Sequence, residues 1–320
     1  MMNKTSRNIA IAVFLIPGFL YYLFLVLSPV VQGLILSMYR WISLERRVFV
    51  GFDNYLSVFR DRIFWQSVRA SIIFMVITTV FQVVFGFLLG YILYLQPRFE
   101  RTFKTIFFVP VVLNTVAVGF IWGYIYSPAF GLLKPAMEAL GLGKYYIPPL
   151  AQPSTALIAV IIAHVWQSFG IQIMLFNAGF MNMPPEVIEM ASIDGAAGFK
   201  MVRYMIIPLS WEICKTVIIL QVIGALRAFD LVYVMTGGGP NHSTELLPLN
   251  MFVYAFENFN FGNGSVVAAI IFVLCMGFTL GLRRMMRGEV CNTDCFYLKE
   301  TGYEILYRDN RKACSGIEPS

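Results

Sequence analysis

The residues of this chain able to do chemistry are few and scattered. His164 stands alone in a long apolar run, with no HExxH pattern and no paired carboxylates, so a catalytic constellation is missing. Gly143-Lys144 has no glycine at 138 and no Ser or Thr at 145, so it is not a phosphate-binding loop, and no such loop occurs elsewhere. Cys291 and Cys295 lack a second pair or a nearby histidine, which argues against a metal site; Cys214 and Cys275 sit among apolar residues and suit packing. Arg227 and Asp230 stand three apart near the end of an apolar run. They could pair on one helix face or line a solute path. Asn114, Thr115, Gln167, Gln172, Asn177 and Gln221 could exchange hydrogen bonds with hydroxyl groups, and Trp122 and Trp166 could stack on a ring. Each could equally make an interhelical hydrogen bond or a core aromatic contact.

These residues can be positioned only by helices that cross a membrane. Of 320 residues, 58% are hydrophobic and 13% charged, and mean hydropathy is +0.70. A soluble domain carries about 25% charge. Six segments are long enough to cross a bilayer: about Ile9 to Met38, Val68 to Leu95, Phe103 to Tyr126, Thr155 to Met181, Ile207 to Met235 and Gly264 to Met286. Pro17 and Pro29 predict a kinked first segment, which is too long for a cleavable signal and is expected to be retained. The fold class expected is therefore an all-α membrane protein of six transmembrane helices. The net charge of +6 marks loop sidedness and not nucleic-acid binding. An N-terminus inside puts Lys4, Arg7, Arg98, Arg101, Lys104, Lys200, Arg203, Arg283, Arg284 and Arg287 on the cytoplasmic side. It also leaves Arg40, Arg46, Arg47, Arg60 and Arg62 outside, so charge alone is a weak vote. Phe59, Ile63, Phe64 and Trp65 among charges predict an interfacial amphipathic helix. A short helix is expected over 132–142.

Between the fourth and fifth segments lies a polar island, PPEVIEMASIDGAAGFKMVRYMIIP, from Pro184 to Pro208. Pro185 suits a first helical position, and Glu186 and Glu189 complement the dipole there. Val187, Met190 and Ala191 form one apolar stripe. Asp194-Gly195 is a turn, in which Asp194 can cap a second helix carrying Phe199, Val202 and Ile206 on one side. Pro208 punctuates it.

The spacing of Glu189-Met190-Ala191, three residues, Gly195, nine residues, and Met205-Ile206-Ile207-Pro208 resembles the EAA coupling loop of bacterial ABC importer permeases. Met190, Met205 and Ile207 are apolar departures from that pattern. Thr236-Gly237-Gly238-Gly239-Pro240, followed by Ser243, Thr244 and Glu245, resembles the carbohydrate-uptake branch that pairs with a second, non-identical permease. Physically, the glycines allow close approach or motion, or a tight external turn. The resemblance spans about residues 9–287, a permease domain at 1–287; the polar tail 288–320 stays unassigned.

The resemblance implies a multi-pass protein of the bacterial cytoplasmic membrane with both termini cytoplasmic, surrounded by lipid. Its partners would be an ATPase subunit dimer, a second permease and an extracytoplasmic substrate-binding protein. No cofactor or metal is expected on this chain, ATP and magnesium being held by the ATPase. Glu189 would contact the ATPase, Val187, Met190 and Ala191 would pack in its groove, and Glu186, Asp194 and Gly195 would complete the docking unit, with Pro208 as the hinge. Asn114, Trp166, Gln172, Asn177 and Asp230 are the candidates for a sugar or polyol path. The rival is an ion-coupled secondary transporter, which needs embedded carboxylates; Asp230 is the one good candidate.

Overall fold

In the computed structural model, residues 4–41, 46–95, 97–193 and 195–286 are described. Asp194, Arg287 and the tail 288–320, with its three cysteines, lie outside the described residues. Among the described residues, four helices are long and apolar enough to cross a membrane: Val13–Leu36, Arg62–Leu95, Pro153–Met181 and Phe261–Met285. Two further pairs are bent, Thr102–Val112 with Thr115–Tyr126 at 94° and Phe199–Leu209 with Trp211–Leu226 at 71°. Counting each pair as one span makes six.

The bends correct the expected third and fifth segments. Pro110 has no N–H to give, and the first limb ends two residues later at Val112. Asn114 is extended, and its side chain accepts from the Val116 N–H at 2.9 Å, capping the second limb. In the other pair the bend falls at Ser210, two residues beyond Pro208, where the hydroxyl donates back to the Ile206 carbonyl at 2.6 Å. The expected run to Met235 also breaks after Leu226, and a separate short helix, Asp230–Thr236, follows.

The chain's centre is the contact between Arg62–Leu95 and Pro153–Met181. It is close because Gly86 and Gly90 face the second helix one turn apart. A Cβ on Gly86 would stand 2.6 Å from Gln172 Cβ, and one on Gly90 2.9 Å from Phe176 Cβ. Gly90→Leu is expected to lower the detergent melting temperature and destabilise the fold by at least the ~1–3 kcal/mol typical of overpacking. Gly123→Leu, whose Cβ position is open, is the control. Equal melting of the two variants would contradict this packing.

Asp61 starts the Arg62–Leu95 helix by accepting from the Ile63 N–H at 2.8 Å, six residues before the expected Val68. The interfacial helix expected around Phe59 needs correction. Asp53–Arg60 is helical, but Phe64 belongs to the next helix and is 1% exposed, packed with Val58, Leu247 and Val266. Trp65 and Phe59 stay on the surface. The all-α expectation is also amended by a short antiparallel pair, Tyr39–Trp41 with Arg47–Phe49. Leu133–Ala139 is the short helix expected over 132–142.

The glycine-rich segment after Thr236 is a pinned turn. The Thr244 hydroxyl donates to the Gly239 carbonyl at 2.8 Å and lies 2.7 Å from the Thr236 hydroxyl. Glu245 is buried between Asn250 and His242, at 2.7 and 2.5 Å.

Candidate transport path and docking loop

The polar island forms helix Pro185–Ile193, a turn, and the helical limb Phe199–Leu209. Gly195 adopts φ +83°, and its N–H donates to the Ser192 carbonyl at 3.2 Å. Gly198, at φ +54° and ψ −126°, makes a second glycine-only bend just before Phe199. The loop is rooted in the chain. Ile188, Ala191, Met201, Met205 and Ile206 pack with Phe176, Phe180, Met183 and Cys214. Ala191 is only 7% exposed, so its expected contact with a docking partner is corrected: it faces the chain's own core. Phe199 reverses the other way, 81% exposed instead of sharing the buried side with Ile206. Glu186, Glu189, Met190 and Ile193 point outward, and Val187 is half-buried. Glu186, Glu189, Met190 and Ile193 thus lie exposed along Pro185–Ile193, and Phe199 is exposed on the limb that follows.

A cavity of about 300 Å³ opens where two helix breaks meet the middle of Pro153–Met181. His164, Gln167, Ser168 and Ile171 line it from that helix, Thr115 from the first break, and Arg227 to Leu231 from the second. Gln167 Nε2 donates to the Leu113 carbonyl at 3.3 Å and to the Thr115 hydroxyl at 3.2 Å. Ser168 Oγ donates to the His164 carbonyl at 2.6 Å and accepts from Gln82 Nε2 at 2.8 Å. His164 both lines the cavity and packs on Phe74, ring centroids 5.0 Å apart. The possible pairing of Arg227 with Asp230 on one helix face does not occur, because the helix ends between them; among the described residues no ion pair joins them. The cavity therefore presents a donor-only guanidinium and an acceptor carboxylate on one wall.

Of the five path candidates, Asp230 alone lines this cavity. Asn114 is spent as a helix cap. Trp166 sits edge-on to Trp122 at 5.7 Å, away from the cavity lining. Gln172 donates to Gln221 at 2.6 Å and Asn177 to the Gly90 carbonyl at 3.4 Å, so both tie helices together. The signal that would have found the lining was periodicity. Residues 164, 167, 168 and 171 recur at i, i+3, i+4 and i+7 on one helical face. A larger cleft of about 700 Å³ on the far side of Arg227 is lined by apolar residues such as Val26, Ile223 and Phe272.

A family model described as "Binding-protein-dependent transport system inner membrane component" matches residues 82–283, which hold both the loop and the cavity. The chain belongs to this family. As an inner-membrane component it has relatives along most of its length. It is 30% identical over 270 residues to "Probable ABC transporter permease protein YurN" of Bacillus subtilis, covering 83% of this chain and 92% of that one. It is 32% identical over 247 residues to the trehalose/maltose transport system permease protein MalF of Thermococcus litoralis, covering 75% and 83%. In fold, this inner-membrane component is similar to a chain of a bacterial alginate ABC transporter crystallised with its alginate pentasaccharide-bound periplasmic protein. The TM-score is 0.77 at 16% identity, over 88% of this chain and 95% of that one.

Proposed function

We propose that this inner-membrane component is the permease subunit of an ABC importer for a sugar or related polyol. It crosses the membrane six times with both termini cytoplasmic, counting each bent pair as one span, and the 184–208 loop docks an ATPase subunit. The observation that carries this reading is the loop itself. It is a helix–turn–helix anchored by Ile188, Ala191 and Ile206, with Ile193 85% and Phe199 81% exposed beside Glu186 and Glu189. An apolar face of that kind, rimmed by charge, is the form of a partner-binding surface. Lys200 and Arg203 on the same loop favour the cytoplasmic side.

In this mechanism ATP and Mg²⁺ belong to the ATPase subunits, and this chain moves in response. The loop travels as a rigid unit because its inner face is packed into the same cluster as Phe176, Phe180 and Cys214. Force on Glu189, Met190 and Ile193 is therefore delivered to Pro153–Met181 and Trp211–Leu226, the helices flanking the loop. Since packed interfaces favour discrete arrangements over continuous flexing, the response is a switch between two access states. In the cavity Asp230 accepts from, and Arg227 donates to, the hydroxyls of a neutral solute, while Ser168 adds a weaker polar contact. The relative named for trehalose and maltose supports a carbohydrate cargo. A second, non-identical permease and an extracytoplasmic binding protein complete the assembly.

The test is purification of the tagged chain from its own host in mild detergent, with identification of what accompanies it. An ATPase and a second permease are expected. A chain recovered alone, with uptake dependent on an ion gradient, would overturn the proposal and favour a secondary transporter.

A further inference from the structure

We propose that Gln167 is the pin that sets the 94° elbow between Thr102–Val112 and Thr115–Tyr126, and through it the width of the polar cavity. A bend of this kind inside a membrane frees backbone groups, which side chains or a water-lined cavity must take up. Gln167 does so from the neighbouring helix. Its Nε2 reaches the Leu113 carbonyl at 3.3 Å and the Thr115 hydroxyl at 3.2 Å, one on each side of Asn114. One turn further along the same helix, Gly170 seats the other limb: a Cβ there would lie 2.1 Å from the Phe107 carbonyl oxygen. Gln167 and Gly170 thus grip the elbow from a single helix face.

The far limb carries the angle to the opposite wall. Gly119 on Thr115–Tyr126 lies so close to Asp230–Thr236 that an added Cβ would meet Val234 Cγ1 at 2.8 Å. Asp230, the first residue of that short helix, lines the same cavity as Gln167. A change in the elbow therefore moves Asp230 relative to His164 and Ser168. Gln167 is on this account a positioning residue, and the proposal stands whichever solute the cavity takes.

The test uses spin labels at Ile106→Cys and Phe120→Cys, one on each limb and both exposed, with the five native cysteines replaced by alanine. The complex is purified from its own membranes, reconstituted without solute, and the label-to-label distance is measured by double electron–electron resonance. Gln167→Met keeps the shape but has no donor. Gln167→Glu keeps the shape and, when ionised, sets an acceptor against the Leu113 carbonyl. The expected order is a single narrow distance for Gln167, a broader and shifted one for Met, and a larger shift for Glu. A side chain that merely filled space would leave all three alike. Wild-type distances in Gln167→Met overturn the proposal, and that apolar variant keeps the test decisive if Gln167→Glu fails to assemble.

Discussion

If the 184–208 loop docks an ATPase as proposed, replacing Gly195 with proline is expected to cut ATPase recovery roughly tenfold or more while the chain still enters the membrane. Gly195 holds φ +83°, and proline is confined near about −65°, so the two are incompatible. Proline also removes the N–H that donates to the Ser192 carbonyl at 3.2 Å. No atom lies within 4 Å of a Cβ at this position, so the damage comes from backbone geometry and not from a clash. The turn sets the angle between Pro185–Ile193 and the Phe199 limb, and hence whether Met190, Ile193 and Phe199 share one face. Gly195→Ala should be milder, because alanine at positive φ costs roughly 1–2 kcal/mol. The measurement is ATPase recovered per unit of membrane-inserted chain, expected to fall roughly tenfold or more in the proline variant, a change of about 1.4 kcal/mol in binding. Wild-type recovery in Gly195→Pro would show that the loop does not dock as a shaped unit.

Asp230→Ala is expected to reduce uptake by the next largest amount. Asp230 opens a short helix at the cavity wall, where the positive end of the helix dipole favours its charge, and no cation within ion-pair distance is shown for it among the described residues. Its oxygens are therefore available to solute hydroxyls. A hydrogen bond to a charged group contributes about 1.5–3 kcal/mol, so the variant should lose roughly tenfold to a hundredfold in uptake efficiency. Asp230→Asn keeps one acceptor oxygen and should fall between. Initial uptake of the sugar whose use by the cell requires this chain is the readout, normalised to assembled complex. Unchanged uptake in Asp230→Ala would remove the carboxylate from the path. Uptake that is lost equally in both variants and tracks the proton gradient would instead make Asp230 a proton carrier.

What could be read from the sequence was what local composition records. The apolar run expected from Thr155 to Met181 appears as Pro153–Met181, and that from Gly264 to Met286 as Phe261–Met285, because helix length in a membrane is written in consecutive residues. The turn at Gly195 was legible because Gly195 has a backbone shape few other residues tolerate. Direction was not legible. A mainly apolar run interrupted only by Asn114 and Thr115 looks the same whether the chain goes straight or turns through 94°. Nor does a helical stripe reveal which neighbour it meets. Met190 and Ala191 are adjacent apolar positions, and only the packing of Ala191 on the chain's own core sends Met190 outward. Gln172 and Asn177 looked as suited to a solute as Gln167. Their partners, Gln221 and the Gly90 carbonyl, lie 49 and 87 residues away in sequence, and that distance hides a structural bond from any local inspection.

The cavity wall built from two helix breaks bears on how such a chain diversifies. Residues 113–114 and 227–229 are connectors between helices, and neither stretch takes part in the close contact at Gly86 and Gly90 or in the roots of the docking loop. On the function proposed above, changes confined to these connectors would reach the cavity before they reached the docking face, although Ala228 and Phe229 also pack on the core. Under the same proposal, Pro153–Met181 then serves both ends, lining the cavity with 164–171 and rooting the loop with Phe176 and Phe180.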